Sequence, residues 1–474
     1  MKKAMEEHQK TFYQKENQHE LAALKAEVKK SPYRPVLHIF PEAGLMNDPN
    51  GLAYFNGKYH VFFQWYPFAP VHGLKHWGHT ASEDLVHWSP QELALIPDRE
   101  YEKNGCYSGN ALAFQDELYL FYTANYKTAQ GKIPMQALAV MDQTGTIRKH
   151  PQPLITEQIP GLSGELRDPF VFERAGQFYM LLGGGKFTGP ARKGFGDQGV
   201  LLLYRSADLL DWEYVGLIEV PIDTGYMLEC PSLIEIDGKD VLFLSPMGMK
   251  KDGARFNNRF ATIYLIGELD LEHLRFNVEQ WDEMDAGFDF YAPQAFQGKE
   301  QPLLFGWFGC GEQEHPLAEQ WKHGLTFPQT MSLANNKFTR YPAKEILAQF
   351  TEEQSINQPL IELTNATYVL KLTAGFDFQV GTQEDYWQFS YDQDTGQVTV
   401  SREQLRHKID TAYGYERSTT LEKLSAVDVF VDWSFVEIYL NGGEKVFSFN
   451  VFQESSVIRS MTTSLAGSLS YYQG

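Results

Sequence analysis

Three acidic residues recur at a spacing close to 60 positions or a multiple of it, and this period constrains the fold more than any other feature. Asp48 and Asp168 lie 120 positions apart, and Asp168 and Glu229 lie 61 apart. The segment 82–88, SEDLVHW, is echoed 124 positions later by 206–212, SADLLDW. Repeats of this length built from short strands are typical of β-propellers with four-stranded blades.

Short apolar or aromatic runs bounded by turn residues support an all-β fold. Residues 59–65, 117–122, 177–182 and 200–204 have the composition of strands. An α/β barrel would need a helical stretch between successive strands, and no run of comparable length here has helical periodicity. Residues 31–335 hold about five periods of 60 positions, so we predict a five-bladed β-propeller there.

The length of the chain, 474 residues, favours two domains. After a linker predicted at 336–350, alternating apolar and polar residues return over 351–474. Alternation with one polar face is typical of two packed antiparallel sheets, so we predict a C-terminal β-sandwich. Residues 1–30 are rich in Lys, Glu and Gln, with Leu21 and Val28 at helical spacing, which predicts a short N-terminal surface helix.

Charge and composition exclude several classes of protein. The formal net charge of -20 argues against a nucleic-acid partner. No segment approaches the ~20 apolar residues that cross a bilayer, and the N-terminus lacks a secretion signal. The three cysteines have neither metal-ligand spacing nor the pattern of a disulfide framework. We expect a cytoplasmic enzyme without a membrane partner; the sequence leaves a homo-oligomer open.

Each of the three acids stands one or two positions before a proline, which interrupts the strand. For any one acid, an Asx turn leading into a strand is the plain alternative. Three such turns at equivalent places on different blades would face one axis and form one pocket. Aromatic residues make up 14% of the chain, and many lie near the acids. Flat rings beside carboxylates and amides suit a sugar ring.

The motifs around these acids resemble the three signature motifs of glycoside hydrolase family 32, the invertases and β-fructofuranosidases. They are NDPNG from Asn47, RDP from Arg167 and EC from Glu229. The likeness covers nearly the whole chain and includes FQW at 63–65, WGH at 77–79, YSG at 107–109, FDFYAPQ at 288–294 and VEIYLNG at 436–442. The resemblance implies a five-bladed propeller joined to a β-sandwich.

The resemblance also implies a retaining, two-step mechanism. Asp48 would be the nucleophile that attacks the anomeric carbon of a fructosyl unit. Glu229 would be the general acid and base, with a pKa raised by burial and by the charge of Asp48. Asp168 would bind sugar hydroxyls and stabilise the transition state, oriented by Arg167. Cys230 would tune the surroundings of Glu229 or serve as a small buried residue.

A fructose pocket follows from the same resemblance, and no cofactor is implied. The residues carried over to it are Asn47, Gln64, Trp77, Ser108, Arg167, Asp168, Cys230 and Tyr291.

The segment 72–79, HGLKHWGH, resembles the bacterial members that act on sucrose 6-phosphate. An acidic protein needs local cations to hold a phosphate. The candidates are His72, Lys75 and His76, with Arg192 or Lys193 as additions. A solvated basic loop is the alternative for each.

Three other functions remain open on the sequence. The first is an intracellular β-fructosidase for unphosphorylated sucrose or fructo-oligosaccharides. The second is a fructosyltransferase, which would use the same covalent intermediate. The third is a non-catalytic sugar-binding protein, which the presence of all three acids disfavours.

Overall fold

The structure, a computed structural model, describes residues 11, 13–129, 131–190, 194–299, 301–311, 315, 318–334, 337–409, 412–453 and 457–474. Within these ranges strands predominate over two α-helices, α1 (Gln18–Val28) and α2 (Lys344–Leu347), and two 3-10 turns, Lys15–Asn17 and Glu100–Glu102. The predicted all-β class is confirmed. None of the described helices has the length and apolar character needed to cross a membrane.

The first domain consists of antiparallel sheets that follow one another along the chain. The first sheet contains β1 (Gly44–Phe55), β2 (Lys58–Tyr66), β3 (His76–Ser82) and β4 (Glu92–Leu95). The second contains β5 (Cys106–Phe114), β6 (Glu117–Thr128), β7 (Gly131–Met141) and β8 (Ile147–Lys149). The third contains β9 (Arg167–Arg174), β10 (Gln177–Lys186), β11 (Gln198–Ser206) and β12 (Glu213–Ile218).

Two further sheets complete this domain. The fourth contains β13 (Met227–Ile236), β14 (Lys239–Met247), β15 (Ile263–Asp270) and β16 (Arg275–Glu283). The fifth begins with β17 (Tyr291–Ala295) and β18 (Leu303–Phe308). The chain then forms β19 (Trp321–Lys322), which joins the first sheet, and returns to the fifth with β20 (Gly324–Leu325), β21 (Gln329–Ala334) and β22 (Lys337–Pro342).

The first strands of these five sheets form a closed ring around one axis. β1 contacts β5, β5 contacts β9, β9 contacts β13, β13 contacts β17, and β17 contacts β1. The parallel pairing of Gly44 with Trp321 joins the end of the domain to its beginning. A closed ring of antiparallel sheets is a β-propeller, as predicted.

Each first strand carries an irregularity at the same point, and this explains the period of about 60. The pairing register shifts directly after five residues, which recur every 60 to 62 positions: Met46, Cys106, Arg167, Glu229 and Tyr291. A β-bulge redirects side chains at the point where it occurs. The acids Asp48, Asp168 and Glu229 all lie at or within two positions of such an irregularity.

The internal repeat marks one turn in two different sheets. In each copy the carboxylate of Asp84 or Asp208 accepts hydrogen bonds from backbone N–H groups two and three positions later. Leu85 and Leu209 follow with positive φ angles of 63° and 69°. The repeat is thus an Asx-type turn that directly follows the third strand of the first sheet and the third strand of the third sheet.

The second domain is a β-sandwich, as predicted. Its strands are β23 (Phe350–Gln358), β24 (Leu360–Glu362), β25 (Thr367–Ala374), β26 (Phe378–Gly381), β27 (Tyr386–Asp392), β28 (Gln397–Ser401), β29 (Glu416–Thr420), β30 (Val427–Asp432), β31 (Phe435–Leu440), β32 (Lys445–Asn450), β33 (Val457–Ser460) and β34 (Leu465–Tyr472). In the described ranges they form two six-stranded sheets, in the orders β23-β34-β25-β30-β31-β32 and β24-β33-β26-β27-β28-β29. Trp387, Phe389 and Phe447 belong to the core of this domain.

The segment between the domains differs from the expected linker. β22 pairs with β21 in the fifth sheet, so part of the range 336–350 belongs to the propeller. Only the short helix α2 then precedes the sandwich.

The N-terminal helix α1 packs on the propeller. Leu21 and Val28 are buried in the same core cluster as Trp65. Lys25 forms an ion pair with Glu42 at 2.7 Å. Residues 1–10 of the predicted helical segment lie outside the described residues.

Buried charges join the two domains. His38, before the first propeller strand, contacts the carboxylates of Asp432 at 2.8 Å and Glu437 at 3.1 Å, both in the sandwich. Arg402 of the sandwich forms an ion pair with Asp289 of the propeller at 2.9 Å. These partners are fully desolvated, so removing one of them would leave an uncompensated buried charge.

Candidate active site

An axial cavity of about 960 Å³ opens at the ring of first strands, and Asp48, Asp168 and Glu229 line it. They belong to β1, β9 and β13. Asp168 has a φ of 63°, and Cys230, directly after Glu229, has a φ of 47°. Such backbone conformations are costly for residues other than glycine and cluster at functional sites. The three acids are brought together as the sequence predicted.

The carboxylate of Asp48 is held by two neighbours. Asn47 Nδ2 donates a hydrogen bond to its Oδ1 at 3.1 Å, and Ser108 Oγ donates one to its Oδ2 at 2.5 Å. Gln64 connects these neighbours, because it accepts from Asn47 Nδ2 at 3.0 Å and donates to Ser108 Oγ. The predicted residues Asn47, Gln64 and Ser108 therefore form one network around Asp48.

Asp168 is fixed through both its backbone and its side chain. Its N–H donates to Thr123 Oγ1 at 2.9 Å, and its Oδ2 accepts from the N–H of Cys230 at 2.9 Å. Cys230 Sγ lies 3.5 Å from Asp168 Oδ2 and 3.7 Å from Asp48 Oδ2. Burial, reinforced by the charge of Glu229, raises the pKa of Asp168 above its ordinary value.

Glu229 has a positive partner at one oxygen and a phenol at the other. Arg167 Nη1 donates to its Oε1 at 3.2 Å, and the hydroxyl of Tyr291 donates to its Oε2 at 2.8 Å. Burial raises the pKa of Glu229, and the charge of Asp48 adds to this, against the opposing effects of Arg167 and Tyr291. A raised pKa is what a general acid needs near neutral pH.

Arg167 does not have the partner that the sequence suggested. We expected it to orient Asp168, but its ion pairs are with Glu229 and Glu165. Arg167 and Asp168 both line the cavity, and the charge of Arg167 acts against the burial that raises the pKa of Asp168, without a direct ion pair between them.

Trp77 and His76 were expected in the site but do not line the axial cavity. Trp77 is fully buried between the first and second sheets and donates to the carbonyl of Tyr107 at 2.9 Å. His76 accepts from the N–H of Tyr13 at 3.0 Å and contacts the carbonyl of Leu74. Both residues lie on β3, the third strand from the axis, which explains why these two expectations were wrong.

His72 and Lys75 do line the cavity. Lys75 Nζ donates to Asn47 Oδ1 at 2.5 Å and lies 3.2 Å from His72 Nδ1. Burial lowers the pKa of Lys75 to about 7, and burial together with the charge of Lys75 lowers the pKa of His72 to about 3. His72 is therefore a neutral imidazole at physiological pH and supplies no charge to a phosphate. Arg192 and Lys193 lie outside the described residues.

Other lining residues were not assigned to the site from the sequence. They include the aromatic residues Tyr107, Phe195, Tyr226, Phe260 and Trp307 and the cations Lys103, Lys127 and Arg259. Tyr107 adjoins the YSG motif, and this was the available signal for it. Lys103, Lys127 and Arg259 belong to no motif, so only the fold identifies them. In the described ranges, no group of three or more His, Cys, Asp or Glu side chains is arranged to hold a metal ion.

Three converging carboxylates, amide donors and aromatic rings in one cavity are typical of the active site of a glycoside hydrolase. Comparisons with known proteins agree. The model of the glycosyl hydrolases family 32 N-terminal domain matches residues 38–342, and that of the family's C-terminal domain matches residues 340–470. The chain belongs to glycoside hydrolase family 32.

Relatives and solved structures resemble the chain over nearly its full length. It is 35% identical to a sucrose-6-phosphate hydrolase of Bacillus subtilis, with 89% of each chain covered. The structure of a sucrose-6-phosphate hydrolase from Lactobacillus gasseri matches with a TM-score of 0.91 and 30% identity, covering 98% of both chains. A Bombyx mori β-fructofuranosidase of the same family matches with a TM-score of 0.85 and 32% identity, covering 97% of both.

Proposed function

We propose that this glycoside hydrolase cleaves the β-fructofuranosidic bond of sucrose 6-phosphate with retention of configuration. The observation that carries the proposal is the convergence of Asp48, Asp168 and Glu229 on one cavity. A buried carboxyl with a raised pKa beside a second, hydrogen-bonded carboxylate matches the division between acid and nucleophile in retaining enzymes.

In the first step, an oxygen of Asp48 forms a bond to the anomeric carbon of the fructosyl unit. The bond from that carbon to the bridging oxygen breaks, and Glu229 gives its proton to this oxygen, so that glucose 6-phosphate leaves. In the second step, Glu229 takes a proton from water, whose oxygen bonds to the anomeric carbon and displaces Asp48. Two successive inversions at this carbon give net retention.

The surrounding contacts suit these roles. Asn47 and Ser108 hold the nucleophile in one orientation, which reduces the entropy cost of reaching the transition state. Asp168, held by the N–H of Cys230, faces the same space and is assigned to the sugar hydroxyls and the positive charge of the transition state.

The phosphate is assigned to the cationic side chains of the cavity. In a protein of net charge -20, the lining includes Lys103, Lys127 and Arg259, whereas Lys75, with a pKa of about 7, is only partly charged near neutral pH. Such local cations favour a dianionic group where the overall charge opposes it. The similarity to the sucrose-6-phosphate hydrolases of Bacillus subtilis and Lactobacillus gasseri supports the same substrate.

The test is kcat/KM for sucrose 6-phosphate and sucrose, measured side by side on purified protein. We expect a preference of at least tenfold for the phosphorylated sugar, about 1.4 kcal/mol of differential transition-state binding. Lys127→Met and Arg259→Met should reduce this preference while sparing sucrose. Lys58→Met, which changes an exposed lysine outside the cavity, is the control. Equal values for the two sugars would contradict the phosphate assignment, and inactivity on both would contradict the proposal.

Two other activities use the same site chemistry. A β-fructosidase for unphosphorylated fructo-oligosaccharides would give higher kcat/KM on such chains than on sucrose 6-phosphate. A fructosyltransferase would release transfer products faster than free fructose from dilute sucrose. Product analysis in the same assays separates these activities from hydrolysis of sucrose 6-phosphate.

We propose a cytoplasmic location, because the proposed substrate is a sugar phosphate. A sugar phosphate is charged and does not cross a bilayer unaided, so an enzyme specific for it acts where the phosphate is made. Fractionation of cells that produce the protein, with activity assayed in each fraction, tests this assignment.

A further inference from the structure

A row of alternating charges leads from Glu229 away from the reacting centre. Arg167 forms ion pairs with Glu229, at 3.2 Å, and with Glu165. The same oxygen of Glu165 contacts Lys132 Nζ at 2.5 Å, and this contact favours the ammonium form, whereas burial and the charge of Arg167 lower the pKa of Lys132 to about 6. The four side chains are only 11–19% exposed, so water screens their interactions weakly.

The row crosses three blades of the propeller and is held at several points. Lys132 lies on β7, Arg167 on β9 and Glu229 on β13. The ammonium group of Lys132 lies 5.5 Å from the ring centre of Tyr107. The N–H of Glu165 donates to the hydroxyl of Ser163 at 3.3 Å. The charges therefore keep fixed relative positions.

We propose that Glu165 and Lys132 are positioning residues that set the proton affinity of Glu229 through Arg167. This inference rests on the proposed acid and base role of Glu229. The guanidinium of Arg167 serves two carboxylates. The negative charge of Glu165 partly neutralises it, and Glu229 therefore keeps its proton more readily. Lys132 limits this effect because it neutralises Glu165 in turn.

Other groups also face Glu229 and contribute to its pKa, to which the effects of Glu165 and Lys132 are added. Asp48 and Asp168 favour its protonated form by their charge, whereas Arg167 and the hydroxyl of Tyr291 favour the carboxylate. The thiol of Cys230 and the phenols of Tyr107 and Tyr226 lie within electrostatic reach of it. None of these groups changes in the variants described next.

Single substitutions in the row should shift the proton affinity of Glu229 in opposite directions. Glu165→Gln removes a negative charge, so the alkaline limb of kcat/KM should move to lower pH. Lys132→Met removes a positive charge, so the same limb should move to higher pH. We expect the shift in Glu165→Gln to be about half a pH unit or more. The opposite shift in Lys132→Met should be smaller, because Lys132 has a pKa of about 6 and is only partly charged across the alkaline limb, and the double variant should fall between the two.

The experiment measures kcat/KM for sucrose 6-phosphate from about pH 5 to 9, where the alkaline limb reports the essential acid of the free enzyme. Glu279→Gln and Lys239→Met form the matched control, because they alter another Lys–Glu ion pair outside the cavity. Opposite shifts in the two test variants, with an unchanged limb in both controls, support the inference.

Two results would overturn it. Shifts in the same direction, or lower activity at every pH with an unmoved limb, would mean that the pair only supports the structure locally. Wild-type inactivity, or full activity in Glu229→Gln, would remove the proposed function and this inference with it. An active wild type with unmoved limbs in both variants would overturn the inference alone.

Discussion

Replacing Glu229 with glutamine separates proton transfer from the other contacts of this side chain. The amide has nearly the same shape, and its oxygen can still accept from Arg167, while the hydroxyl of Tyr291 can accept from the new NH2 group and donate to the carbonyl of Ser245, which lies 3.0 Å away. Binding should therefore change little. Loss of general acid catalysis should lower kcat on sucrose 6-phosphate by roughly 10²- to 10⁴-fold, which is about 2.7–5.4 kcal/mol.

A fructoside with a nitrophenolate leaving group provides the decisive assay, because its first step needs no proton. Stopped-flow absorbance should record a burst of nitrophenolate from Glu229→Gln at a rate within about tenfold of wild type. The second step still needs a base, so mass spectrometry should detect one fructosyl unit on the protein. Equal loss in the burst and on sucrose 6-phosphate would refute the acid–base assignment.

Glu283→Gln is the matched control for this substitution. Burial raises the pKa of Glu283 to about 8, and its carboxylate accepts from the N–H of Phe256 at 2.7 Å. It does not line the axial cavity. Activity on both substrates should therefore survive in this variant, and a comparable loss would show that neutralising any buried carboxyl impairs the enzyme.

Two further predictions concern the nucleophile and the domain interface. Asp48→Ala should abolish hydrolysis of both sugars. Its melting temperature should stay within about 4 °C of wild type, because the site opens to solvent and the substitution removes little packing. Residual turnover above about a thousandth of wild type would contradict the role of Asp48 as the nucleophile. Burial disfavours protonation of His38, but Asp432 and Glu437 outweigh this and raise its pKa. The stability that protonated His38 contributes is therefore full below its ordinary pKa of about 6.5 and lost as pH rises through the raised value. In urea unfolding, the stability cost of His38→Gln should be largest below about pH 6.5 and should fall as pH is raised, and a cost that rises with pH would contradict the assignment.

The sequence predicted the propeller and its three acids because both depend on regular spacing. A bulge recurs on each first strand every 60 to 62 positions, so residues that lie near the propeller axis are spaced at this interval in the sequence. The proline after each acid marks the same interruption of pairing. Asp48, Asp168 and Glu229 could therefore be assigned to one pocket before any contact was known.

Individual partners were less predictable. The motif that contains Trp77 is correct, but strand order puts this residue between two sheets. Arg167 adjoins Asp168 in sequence yet pairs with Glu229, because the strand β13 that carries Glu229 packs beside β9 in the ring. Position in a motif therefore did not decide whether a residue contacts the cavity.

What the sequence by itself determined is local: the strand pattern, the repeat and the turns that carry the acids. Only the tertiary structure decided which distant residues meet. The contacts of Lys132 with Glu165, and of His38 with Asp432, join residues 33 and 394 positions apart. The physical reason is that a local pattern depends on neighbours along the chain, whereas such contacts depend on ring closure and on the packing of one domain against the other.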